Sequence, residues 1–128
     1  MNEEEIFEIG ANCLLRVGNR FFAVVEIESE VPGIDLEVFV IIRINMETAK
    51  RLKNAGLDFC EIRNTAPRNE DGVTAEFKCI FITNRQAFAL FDVENDIDQA
   101  VFVRISLEEA ERAIRRGAMR CTVIDARD

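Results

Sequence analysis

Two blocks of the chain repeat one pattern of apolar, glycine and cysteine positions, and that restricts its fold more than any other feature does. Shifted by 66 positions, Phe7–Glu28 lies on Val73–Glu94. Cys13 then meets Cys79, Leu14-Leu15 meets Ile80-Phe81, and Phe22-Ala23 meets Phe88-Ala89. Glu26-Ile27-Glu28 meets Asp92-Val93-Glu94. Shifted by 61, Leu36–Ile62 lies on Ile97–Val123, matching Arg43-Ile44 to Arg104-Ile105, Gly56 to Gly117 and Cys60 to Cys121. The difference of five residues requires one insertion near Ser29–Gly33, in the first copy. Any element assigned in one copy must therefore be possible in the other.

Each copy opens with strand alternation: Phe7, Ile9, Ala11, Cys13, Leu15 and Val17 share one face, as do Val73, Ala75, Phe77, Cys79 and Phe81. Gly18-Asn19 and Asn84-Arg85 suit two-residue hairpin turns, because these residue types tolerate positive φ. A second strand follows at about 20–28 and 86–94, and a third runs from Leu36 to Ile44 and from Ile97 to Ile105. The stretch VFVIIRI is apolar on both faces, which predicts a strand covered on both sides.

A helix comes next. Asn45 and Ser106 are N-cap residues, and Ser106 with Glu109 fits a capping box. Met46, Ala49 and Leu52 form an apolar stripe, matched by Leu107, Ala110, Ala113 and Ile114. Acidic residues lead each helix and basic residues end it, complementing the helix dipole. Gly56 and Gly117 stand where a left-handed residue terminates a helix. A last strand closes each copy, at about 57–62 and 118–124.

The expected class is α+β: a β-β-β-α-β unit used twice, at about residues 6–63 and 73–125, joined by a polar connection over 64–72. A unit this short is marginal alone, since small chains bury too little surface. The two are expected to complete one pseudo-twofold domain with mixed sheet and two helices. A right-handed crossover should place the strands flanking each helix parallel and adjacent.

Composition narrows the chemistry. A net charge of −8 argues against a general nucleic-acid binder, because phosphate binding draws on positive surface. Histidine is absent, which removes the side chain best suited to proton transfer near neutrality and every Ser-His-Asp or Cys-His arrangement. The chain reads as a non-enzyme with no cofactor. The acidic N-terminus does not resemble a signal peptide, and no apolar run is long enough to span a bilayer. A cytoplasmic location without membrane contact is expected.

Four cysteines, Cys13, Cys60, Cys79 and Cys121, lack the close C-x-x-C pairs of a zinc site. No metal is therefore assigned, and the cysteines read as small buried hydrophobes, since cytosolic disulfides are rare. If the edge strands of a copy are neighbours, Cys13 lies near Cys60 and Cys79 near Cys121. Arg43 and Arg104 stand before the two helices, where arginine grips a carboxylate or phosphate; the simpler reading is an ion pair with Glu47 or Glu108, or with the acidic face of the second strand. Glu26, Glu28, Glu30, Asp92, Glu94, Asp96 and Asp98 alternate, and are expected on a solvated acidic face. The basic clusters at 50–53 and 112–120 suit RNA, an acidic protein or a lipid headgroup, but are ordinary for solvated helix ends.

The function expected from these features is that of a small acidic binding or assembly protein, working through a protein partner or self-association. The alternatives are a sensor holding a small anion or metal between the repeats, and an acidic inhibitor that mimics nucleic acid.

Overall fold

A computed structural model describes residues 6, 10–28, 32–33 and 37–127. Phe7, Ile9, Glu30 and Leu36, which the sequence assigns to strands or to the acidic face, lie outside the described residues. The chain divides into two compact units. Unit 1 comprises Met1–Phe59 and Thr122–Asp128, and unit 2 comprises Cys60–Cys121. Each is α+β, and among the described residues each sets a nine-residue helix on a mixed four-stranded sheet.

In unit 1, β1 (Ala11–Val17) and β2 (Arg20–Glu28) form a hairpin closed by Gly18-Asn19, with Gly18 at φ 60°. β3 (Glu37–Ile44) pairs antiparallel with β2. In unit 2, β5 (Thr74–Thr83) and β6 (Gln86–Asn95) form the corresponding hairpin, and Asn84 and Arg85 both adopt positive φ, as a type I′ turn requires. β7 (Ile97–Ile105) returns after Asp96, alone at the tip with φ 68°. In unit 1 the connection between β2 and β3 is longer. The registers of β1 and β5 slip just before Cys13 and Cys79, so both strands carry a bulge there.

The helices are α1 (Met46–Asn54) and α2 (Leu107–Arg115). Asn45 Oδ1 accepts from Thr48 N at 2.8 Å. Ser106 Oγ accepts from Glu109 N at 3.0 Å, while Ser106 N donates to the Glu109 carboxylate at 3.1 Å. Gly56 and Gly117 follow the helices with φ of 109° and 104°, as the sequence predicts.

The strands after the helices depart from expectation. β4 (Glu61–Arg63) does not pair with β3; it runs parallel to β7 in unit 2. β3 takes its parallel neighbour from the end of the chain, β8 (Thr122–Asp125). The reason is where each helix lands. α1 packs on β2, an inner strand, and delivers the chain to the far edge of the sheet, beside β1, where Leu14 N donates to Asp58 O at 2.8 Å. The edge of β3 is thereby left open. α2 does the same in unit 2: Ile80 N donates to Met119 O, and Cys121 N to Ile80 O, both at 2.8 Å. A single crossover to the adjacent strand thus becomes a step across two strands in both units.

Under α1, unit 1 buries Leu14, Ala23, Val25, Val40, Ile42, Ala49 and Leu52. Phe39–Ile42 is buried on both faces, as the VFVIIRI run predicts. Unit 2 packs Ile80, Ala87, Ala89, Val103 and Ala110 beneath α2. The opposite face of its sheet carries Phe81, Phe88 and Phe102, with ring centroids 6.2–6.4 Å apart.

The cysteines are buried or partly so, but they are not free thiols. Cys79 and Cys121 form a disulfide with Cα atoms 4.9 Å apart, and Cys13 and Cys60 are also disulfide-bonded. Proximity in the strands made the bond available: Cys121 lies on the segment that runs beside β5, next to the bulge that presents Cys79. Such bonds persist where the surroundings are not reducing. No helix among the described residues is long and apolar enough to cross a membrane.

Candidate binding groove

α1 turns two different stripes away from its axis. Thr48, Ala49 and Leu52 face the sheet and are buried. Met46, Ala49, Lys50 and Lys53 follow the i, i+3, i+4, i+7 spacing of a second stripe, which borders the first. Opposite it stands the β1–β2 hairpin, where Leu14 and Arg16 share a face of β1 and Phe21 pairs with Arg16 across the ladder. The chain leaving α1 runs beside β1 and adds Phe59. Together they enclose a groove of about 680 Å³ in unit 1, also lined by Asn19 and Asn54.

Its floor is apolar and open to solvent. Met46 is 53% exposed and Phe59 52% exposed. Its rim is cationic, and two of the cations are held in place. The Arg16 guanidinium lies 5.4 Å from the Phe21 ring centroid, and its Nε donates to Gly18 O at 3.1 Å. Lys53 Nζ lies 5.5 Å from the Phe59 centroid and 3.1 Å from Asp58 Oδ1. Each cation therefore rests on an aromatic face with its charge toward water. Lys50 is exposed between them in sequence.

The residues singled out from sequence lie elsewhere. Arg43 is half-buried in unit 1, at the end of β3, in register with Asp125. Partial burial lowers its pKa, the charges of Arg127 and Arg20 lower it further, and Asp125 opposes them. Asp125 is itself held far below the usual carboxylate range by hydrogen bonds from Arg127, at 2.6 Å and 2.9 Å from the side chain. Arg104, in unit 2, is exposed and donates to Asn64 Oδ1 at 3.3 Å. It borders a recess of about 280 Å³ with Arg85 and Ser106. The position an anion would take at the start of α2 is already filled by Glu109, whose pKa is lowered by the bond from Ser106 N and then by the Ser106 side chain. Neither arginine pairs with Glu47 or Glu108.

The acids are divided. Glu28, Glu94 and Asp96 are exposed, while Glu26 and Asp98 are half-buried. Asp92, expected on a solvated face, is 5% exposed, because β6 is covered on both sides over Ala87–Leu90 and again at Asp92-Val93. Asp98, diagonal to it across the β6–β7 ladder, brings a carboxylate oxygen within 4.8 Å.

Sequence reading placed Met46 in the core stripe and gave Lys50–Lys53 a solvated role; it did not single out Arg16, Phe21 or Phe59. The signal for them lies in where the aligned halves of the sequence disagree. Arg16 aligns with Ile82, Phe21 with Ala87, Lys50 with Glu111, Lys53 with Ile114 and Phe59 with Arg120. In unit 2, Ile82 and Ile114 pack onto the apolar cluster.

No protein family model, no characterised protein and no solved structure matches the chain.

Proposed function

We propose that the protein is a non-enzymatic binding module, built by internal duplication into a pseudo-twofold domain, whose working surface is the unit 1 groove. The observation that carries this reading is the pairing of an exposed apolar floor with three cations on a chain of net charge −8. Exposed apolar surface framed by polar residues marks interaction sites, and adaptable Met with an aromatic neighbour is a common anchor set. Proton-transfer groups are scarce: there is no histidine, and the charged residues that line the groove are all lysine or arginine. The duplication adds a comparison within one chain. The equivalent helix and hairpin of the second copy replace two of the three cations with isoleucine and the third with glutamate. An incidental by-product of the fold would be expected in both copies.

A photo-crosslinking side chain at Asn54, on the groove, and at the aligned Arg115 of α2 separates the two surfaces. In the native host, a discrete protein adduct should form from position 54 and not from 115. No adduct at 54, or the same adducts from both positions, refutes the assignment.

A further inference from the structure

We infer that the occupant of the groove is a short acidic amphipathic helix of a partner protein, its apolar side chains on Met46 and Phe59 and its carboxylates on Arg16, Lys50 and Lys53. This rests on the groove being the working surface and adds the chemistry of what fills it.

Charge decides the sign. Arg16 and Lys53 already lie against aromatic faces, so a partner covering them removes much of their remaining water. Desolvating cations is costly unless opposite charge arrives with the covering surface. A neutral or basic partner would leave Arg16 and Lys50 uncompensated and Lys53 with Asp58 alone. Carboxylates supply the missing charge, with bidentate geometry available at Arg16.

Openness decides the size. Small-ligand sites bury about 70–90% of their ligand. Here Met46 and Phe59 are each more than half exposed, so a small molecule would remain wet along one side. A macromolecular segment brings its own cover.

Spacing decides the shape. Lys50 and Lys53 lie about one turn apart along one wall, and Arg16 stands on β1, in the other. A matching segment carries acids on both flanks of a narrow apolar stripe. Apolar anchors at i and i+4 with Glu or Asp on either side meet that pattern on a helix.

The probe is a fluorescein-labelled peptide of about three turns with leucines at i and i+4 flanked by glutamates, beside the same peptide with lysines in place of glutamates. Fluorescence anisotropy with the intact chain should show binding of the acidic peptide only, weakening as salt rises from about 50 to about 300 mM. Lys50→Glu, at an exposed position, should leave the thermal melt unchanged, weaken the acidic peptide roughly five- to tenfold and admit the basic one. Equal binding of both peptides, binding indifferent to salt, or no binding of either overturns the inference. If neither peptide binds while the adduct from position 54 persists, the acidic-helix chemistry fails and the groove stands. If that adduct is missing too, both readings fail.

Discussion

Replacing Cys79 and Cys121 together by alanine tests the least expected feature of the structure. The bond closes a loop across a sequence separation of 42. In the chain-entropy model, opening such a loop returns about 13 cal/mol/K to the unfolded ensemble, or about 4 kcal/mol at room temperature. That is a large part of the roughly 5–15 kcal/mol that separates folded from unfolded chains. The local hydrogen bonds do not disappear, since Ile80 exchanges two with Met119 and Cys121 at 2.8 Å each. The loss is therefore expected in the unfolded state's freedom, with the strand itself loosened rather than destroyed. The chain has neither tryptophan nor tyrosine, so urea unfolding is best followed by far-ultraviolet circular dichroism without reductant. The double variant should lose several kcal/mol with a larger denaturant slope, because the released loop exposes more surface. Amide exchange should accelerate over Met119–Cys121 and in β8, which follows directly in the chain. A loss below about 1 kcal/mol would refute the entropic argument, and free Cys79 and Cys121 thiols in non-reducing peptide mapping would refute the bond itself.

Two further outcomes follow from burial and capping. Leu52→Ala, at a fully buried site under α1, should cost about 2–5 kcal/mol in urea unfolding, whereas Lys50→Ala on the exposed stripe should change stability by no more than about 0.5 kcal/mol. Glu109 has a folded pKa below its unfolded one, because Ser106 bonds its ionised carboxylate. Its contribution is therefore complete above the ordinary glutamate value of about 4.3 and is lost as pH falls through the depressed value. The stability gap between the wild type and Glu109→Gln should accordingly close on acidification, measured by unfolding at neutral and acid pH; a gap that widens at low pH would contradict the capping box.

Local rules made most of the elements legible. Turn chemistry placed both hairpins, caps placed both helix starts, and Gly56 and Gly117 placed their ends, because each is decided within a few residues. Pairing after the helices was not legible. Whether the chain leaving α1 settles beside β3 or beside β1 depends on which strand the helix covers, and nothing in residues 57–63 encodes that choice. The cysteines were misread for a related reason. Their spacing resembles no metal site, and their bonding follows from the course of the strands after each helix. Asp92 was misread because alternation along one strand does not reveal that both its faces are covered. The groove escaped notice because Met46 and Lys53 each have an ordinary reading when α1 is considered alone. Only the hairpin opposite, with Arg16 and Phe21, turns them into the lining of one cleft.

Under the proposed duplication, the two aligned halves offer a way to separate what the fold needs from what a partner needs. Where they agree, the cause is architectural: bulges before Cys13 and Cys79, caps at Asn45 and Ser106, and an alanine under each helix at Ala49 and Ala110. These positions answer to backbone geometry and close packing, which both copies must satisfy. Arg16 and Ile82 differ although their backbones sit at matched places in matched hairpins, two residues before the turn. Lys53 and Ile114 differ at the same turn of equivalent helices. Folding alone favours the isoleucines, which add to the buried cluster of unit 2. Unit 1 forgoes that burial, leaves Phe59 and Met46 half in water, and keeps two cations poised on aromatic rings. At this groove, a departure from the better-packed solution that is uniform in the sign of its charge is what selection for an acidic partner would leave behind.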